Sequence, residues 1–125
     1  DIPTGLAVAT CHPGNTAGYF ETKHAHKLEK DLNTRTFYAE YCFNCHTVGF
    51  NTDPEALNGG FDDVVAATGW TIPDPMGVST NWTDLVANYP SVAQKSNIQC
   101  ENCHGPGSQH KGDRTKIDRS VDSEL

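Results

Sequence analysis

The sequence predicts a mainly α-helical fold with much irregular loop and little or no sheet. Three observations carry that expectation. Phe20, Ala25, Leu28 and Leu32 form an apolar stripe near the 3.6-residue period. Helix-start signals recur at Asn81, with Asp84 three residues on, and at Ser91-x-x-Gln94, which reads as a capping box. Between the helical stretches stand breakers: Pro54, Gly59-Gly60, Pro73 and Pro75.

Taken in order, the first helix is expected over Phe20 to Leu32. A second runs from about Thr36 into the Cys42–His46 stretch, with Phe37, Tyr38, Tyr41 and Val48 as its apolar positions and Gly49 as its stop. Residues 51–80 form a loop-rich acidic insert in which Asp62 to Thr68 makes one short helix. Asn81 caps a helix through Tyr89, and Ser91 starts another that leads into residues 100–104. After His110 the chain is polar and charge-balanced, an extended tail over 111–125. Residues 1–125 read as one domain.

Leu, Ile, Val and Phe make up only 23 of 125 residues, about 18%, below the roughly 20% at which disorder becomes a live option. A core of side chains alone would be thin, so something else should supply apolar mass. No run of 18 apolar residues exists, so no spanning helix is expected. No signal peptide is visible, and the sequence reads as a mature chain. The net charge of −7 argues against nucleic acid. All of that excess lies in residues 36–94, which hold Glu40, Asp53, Glu55, Asp62, Asp63, Asp74 and Asp84 and no Lys or Arg. The stretch reads either as a solvated surface or as a docking face for a basic redox partner.

The cysteines decide the class. Cys42-Phe43-Asn44-Cys45-His46 and Cys100-Glu101-Asn102-Cys103-His104 are complete C-x-x-C-H motifs, the pattern of c-type haem attachment. Cysteines three apart share one face of a helical turn and reach the two vinyl groups of one porphyrin. The following His then presents a ring nitrogen to the iron, which makes His46 and His104 the proximal ligands. Two alternatives stand beside this. The four cysteines suit a Cys₄ zinc site, and each pair suits a redox dithiol, but neither requires a His after each pair. Haem also answers the composition, since each porphyrin replaces missing core, and the short helices are then expected to wrap around covalently bound haems.

Six histidines occur. His12, His46 and His104 each follow a Cys; His24, His26 and His110 do not. Three proximal candidates match three remaining ones, so bis-histidine iron is the economical reading. His24 and His26 lie two apart on the predicted helix and point roughly 200° apart, so they cannot serve one iron. Cys11 has no C-x-x-C partner, because Val8 stands where the first cysteine would be. A third haem would then hang on a single thioether at Cys11, with His12 as its proximal ligand.

Residues 8–110 resemble the multihaem c-type cytochromes related to the tetrahaem electron acceptor of hydroxylamine oxidoreductase. The resemblance rests on Cys100 to His104 with the following Gly105-Pro106-Gly107-Ser108-x-His110, and on Cys42 to His46 with Thr47-Val48-Gly49-Phe50. It rests also on Thr22-Lys23-His24-Ala25 and on Ala9-Thr10-Cys11-His12-Pro13. It implies bis-His haems within electron-transfer distance, an extracytoplasmic (periplasmic or extracellular) location, and His24 and His110 as distal ligands. His26 matches no ligand of that family. The chain is shorter than a tetrahaem protein, so it reads as a trihaem relative or as part of a longer multihaem chain.

Three functions follow as expectations. The first is an electron carrier with closed six-coordinate irons. The second is a small redox enzyme acting on a nitrogen or sulfur species at an open haem. The third is a protomer of a homopolymer that conducts electrons along a haem chain.

Overall fold

The computed structural model describes residues 12–104; Val8, Cys11, His110 and the tail 111–125 lie outside the described residues. The fold is mainly helical. In chain order it comprises α1 (Pro13–Phe20), a 3-10 turn (His24–His26), α2 (Lys27–Thr34), a second 3-10 turn (Glu40–Cys42), α3 (Phe43–His46), α4 (Phe61–Thr68), α5 (Asn81–Asn88), α6 (Pro90–Gln94) and α7 (Cys100–His104). The extended pairing found among the described residues is one isolated antiparallel bridge, Thr47 with Ser96.

The expected helix over Phe20 to Leu32 is broken. Phe20 ends α1 and is half exposed, while Ala25, Leu28 and Leu32 keep the apolar face and are buried. The break lies at Thr22, whose hydroxyl donates to the Tyr19 carbonyl at 2.7 Å and accepts the Ala25 N–H at 3.4 Å. Such local side-chain bonds compete with the helical ladder. α1 itself begins at Pro13, whose preset φ and missing N–H suit the first helical position.

The second expected helix is also shorter. Residues 36–39 are not helical; a 3-10 turn and the four-residue α3 carry the first C-x-x-C-H motif, and α3 ends at an extended Thr47. Gly49 has another task. At φ +68° it approaches Gly60 so closely that a β-carbon on Gly60 would lie 1.8 Å from the Gly49 oxygen. Only glycine fits at Gly60. The contact starts α4 beside Val48, whose N–H donates to the Lys95 carbonyl and whose carbonyl accepts the Phe61 N–H.

α4 forms where the sequence predicts, one residue earlier, and ends at left-handed Gly69. α5 and α6 form without side-chain caps. Asn81 is the first residue of α5 rather than its cap; its Nδ2 donates to the carbonyls of Leu32 (3.0 Å) and Pro75 (3.2 Å) and ties α5 to the end of α2. The Ser91–Gln94 capping box does not form, because Pro90 occupies the first turn and starts α6. α6 stops at Gln94, and a turn through Asn97 (φ 69°) separates it from α7.

The core is Leu28, Leu32, Tyr38, Phe43, Phe61, Trp70, Leu85 and Val92. Two of these eight, Phe61 and Trp70, belong to the acidic insert, so it builds the core as well as the surface. Aromatic packing offsets the shortage of aliphatic residues: Phe43 stacks on Phe61 at 4.9 Å, and Trp70 meets Phe61 edge-on at 5.9 Å. Three of the acids close loops, with Asp53, Asp62 and Asp63 accepting the N–H groups of Glu55, Asn51 and Gly59.

The start of α2 is capped from a distance. Asn97 Oδ1 accepts the N–H of Leu28 at 2.8 Å and of Glu29 at 3.2 Å. Asn97→Gly is expected to cost about 1–2 kcal/mol, because a buried donor loses its acceptor. Asn97→Ala should cost about 1 kcal/mol more, since a β-carbon strains the left-handed backbone. Urea unfolding of the two variants checks the order; equal stabilities would contradict the assignment.

Candidate haem site

The first motif is positioned by its own second residue. Phe43 is buried against Tyr38 and Phe61, and this anchors α3 with one side turned out. Cys45 on the other side is exposed and Cys42 is partly so. Both are free thiols, as are the exposed Cys100 and Cys103. Phe37 (72% exposed) and Tyr41 (71%) stand just before the motif with their rings in solvent. Tyr41, next to Cys42 in the chain, leaves apolar surface beside that thiol.

His46 closes the motif, and its Nδ1 faces into the protein. Nδ1 and the Tyr38 hydroxyl are hydrogen-bond partners, and Nδ1 lies 3.0 Å from Asp31 Oδ2. Asp31 is only 1% exposed. It follows Leu28 by three residues and precedes Leu32 by one, so helical geometry carries a charge onto the apolar face of α2. Lys27 Nζ (3.0 Å) and Arg35 Nε (2.9 Å), one turn to either side, both donate to Oδ1. Oδ2 has no hydrogen-bond partner among the described residues; its contact with His46 lies off hydrogen-bond geometry.

The charges settle accordingly. Burial pushes the Asp31 carboxyl upward, but the hydrogen bonds from Lys27 and Arg35 outweigh it and hold the group below its ordinary value. Burial lowers the His46 pKa despite the pull of Asp31 in the other direction, so the ring is neutral. Neutral imidazole is the form that ligates a metal. Burial and then the Asp31 charge raise Tyr38, which keeps its proton.

The second motif is tied directly to the first. Asn102, inside Cys100–His104, donates from Nδ2 to the Thr47 carbonyl at 2.8 Å, the residue right after His46. Its Oδ1 accepts the Gln99 N–H at 2.8 Å. The Thr47–Ser96 bridge lies alongside. Each motif therefore spends one inner residue on the protein: Phe43 enters the core and Asn102 makes the cross-link.

The entry to the second motif is clamped at Ile98. Its carbonyl accepts the Tyr19 hydroxyl at 2.9 Å, and its N–H donates to the His24 carbonyl at 3.1 Å. Burial, followed by the nearby Cys100, pushes the Tyr19 phenol up to about 12, so it remains a donor. The clamp brings the turn bearing His24 and His26 beside the start of α7. His24 is exposed. Both ring nitrogens of His26 have partners, Nδ1 with Glu29 at 2.8 Å and Nε2 with the Phe20 carbonyl at 2.9 Å. His12 is exposed at the start of α1 and its carbonyl accepts Thr16. His104 closes α7, while Cys11 and His110 lie outside the described residues.

Among the described residues no three His, Cys, Asp or Glu side chains converge as a metal cluster. The features that suit haem c are two thiols three residues apart, a neutral His after them, and its inner nitrogen turned to a buried carboxylate. No helix among the described residues is long and apolar enough to cross a membrane. No family model matches the chain, and no curated protein or solved structure is significantly similar to it.

Sequence reading missed Asp31, Tyr38 and Asn102. A signal existed for Asp31, an acid within an apolar stripe with a base four residues to each side; Asn102 had none. Asn102→Ala should cost about 2 kcal/mol, because the Thr47 carbonyl and Gln99 N–H both lose a partner. Urea unfolding measures the loss. A variant as stable as the wild type would show that the cross-link holds nothing.

Proposed function

We propose that the chain is an electron-transfer cytochrome carrying covalently bound haem c. Cys42 and Cys45 hold one haem with His46 as proximal ligand; Cys100 and Cys103 hold a second with His104. A third hangs on Cys11 with His12 behind it. His24 and His110 are the distal ligands of two irons; His26, held at its two ring nitrogens by Glu29 and the Phe20 carbonyl, releases one of them to close the third. When bound, the haem iron supplies the reversible one-electron step; the protein supplies ligands, spacing and cover.

One observation carries the reading. The Asn102–Thr47 bond fixes two haem-binding turns against each other through a single side chain. A carrier needs such fixed spacing, whereas a catalyst needs an open iron with a polar pocket. The exposed rings of Phe37 and Tyr41 support the same reading, since a porphyrin at Cys42 and Cys45 would cover apolar surface that otherwise faces water. The resemblance of residues 8–110 to multihaem cytochromes adds the extracytoplasmic location and the bis-His ligation. The acidic residues of 36–94 suit a redox partner with a basic face.

The full chain, made with a c-type maturation system, should bind three irons per molecule, all low spin. Intact mass before and after acid-acetone extraction counts the covalent haems. Cyanide and carbon monoxide should leave the spectrum unchanged; a haem that binds either would favour the enzyme. His24→Ala should turn one haem partly high spin, and a fully low-spin variant would remove His24 from the ligand set. A colourless chain that binds zinc stoichiometrically would overturn the proposal.

A further inference from the structure

Resting on that reading, we infer that Asp31 is the positioning residue of the first haem: its buried carboxylate accepts the Nδ1 proton of His46, fixes the ring and lowers that haem's reduction potential. The observation is the unpaired oxygen. Asp31 is 1% exposed, and its Oδ1 takes both cations while Oδ2 finds no hydrogen bond among the described residues and faces His46 Nδ1 at 3.0 Å. A buried carboxylate oxygen without a donor is costly, and proteins rarely keep one without a use.

His46 answers that need once its outer nitrogen is committed. A histidine that ligates through Nε2 carries its proton on Nδ1, and Nδ1 is the atom turned toward Oδ2. The charged acceptor makes the bond stronger than a backbone carbonyl would. It gives the ring partial imidazolate character, which favours the ferric state and lowers the potential. Lys27 and Arg35 hold the carboxylate ionised and aimed, and they moderate its pull. Tyr38 sits over the same nitrogen and closes the site to water; its ring is 7% exposed.

Three full-length variants test this beside the wild type. Asp31→Asn removes the charge and keeps the shape. Tyr38→Phe removes only the competing hydroxyl. Arg35→Gln changes a residue whose side chain is 58% exposed and leaves the carboxylate in place. Spectroelectrochemistry should show one haem rising in potential in Asp31→Asn. Paramagnetic NMR should show that haem's His Nδ1 proton exchanging with solvent about tenfold faster or more, as the loss of one charge-assisted hydrogen bond implies. Tyr38→Phe should keep both the low potential and the slow exchange. Arg35→Gln should lower the same haem's potential, because the carboxylate then pulls harder. If Asp31→Asn does not fold, the Arg35→Gln shift decides. Unchanged potentials in a folded, haem-loaded Asp31→Asn, or in Arg35→Gln, overturn the inference and leave the haem reading intact. A wild-type chain without haem overturns both.

Discussion

A carboxylate removed from water must be matched by charge or by hydrogen bonds, and Asp31 imposes that demand at the centre of this fold. Its position between Leu28 and Leu32 is fixed by helical geometry, so packing α2 onto the core necessarily buries the charge. Lys27 and Arg35 meet one oxygen from the same helix. The other oxygen faces the ring of His46, beside Tyr38, at 3.0 Å. Phe43, packed on Tyr38 and Phe61, holds α3 in place beside that group, and with it sets the direction in which the first motif faces.

The second consequence is the joining of the two motifs. α2 takes its N-terminal cap from Asn97, and Asn97 lies in the turn that leads into α7. The same turn holds Ser96 against Thr47 and delivers Asn102 to the Thr47 carbonyl. A short segment, residues 95–102, thus ties α2, the end of α3 and α7 together. For an electron carrier this matters more than overall stability, because transfer depends on distance and a loose pair of sites would spread it. The insert contributes through Phe61 and Trp70, which with Leu85 and Val92 supply core side chains where the composition suggested that haem would replace them.

Local chemistry was legible without coordinates. The helical class, the short helix at α4, the buried face of α2 and the scarcity of sheet all follow from periodicity and breakers, which act within one or two turns. The boundaries were less legible. Thr22 breaks a helix with a hydroxyl that either caps or interrupts, and Ser91 lost its cap to Pro90 at the first helical position. In both places two local signals competed, and the better backbone geometry won.

The sequence by itself determined the chemistry of the candidate site: two C-x-x-C-H motifs, four further histidines, and a cysteine at position 11 without its partner, because residue type and spacing are written in the chain. Only the tertiary structure decided what surrounds them. Asp31 and His46 are brought together by the packing of α2 against α3, Asn97 caps a helix 69 residues away, and Asn102 spans 55 residues to Thr47. Such pairings follow from which faces the core can bury together, a property of the whole chain that no local pattern encodes.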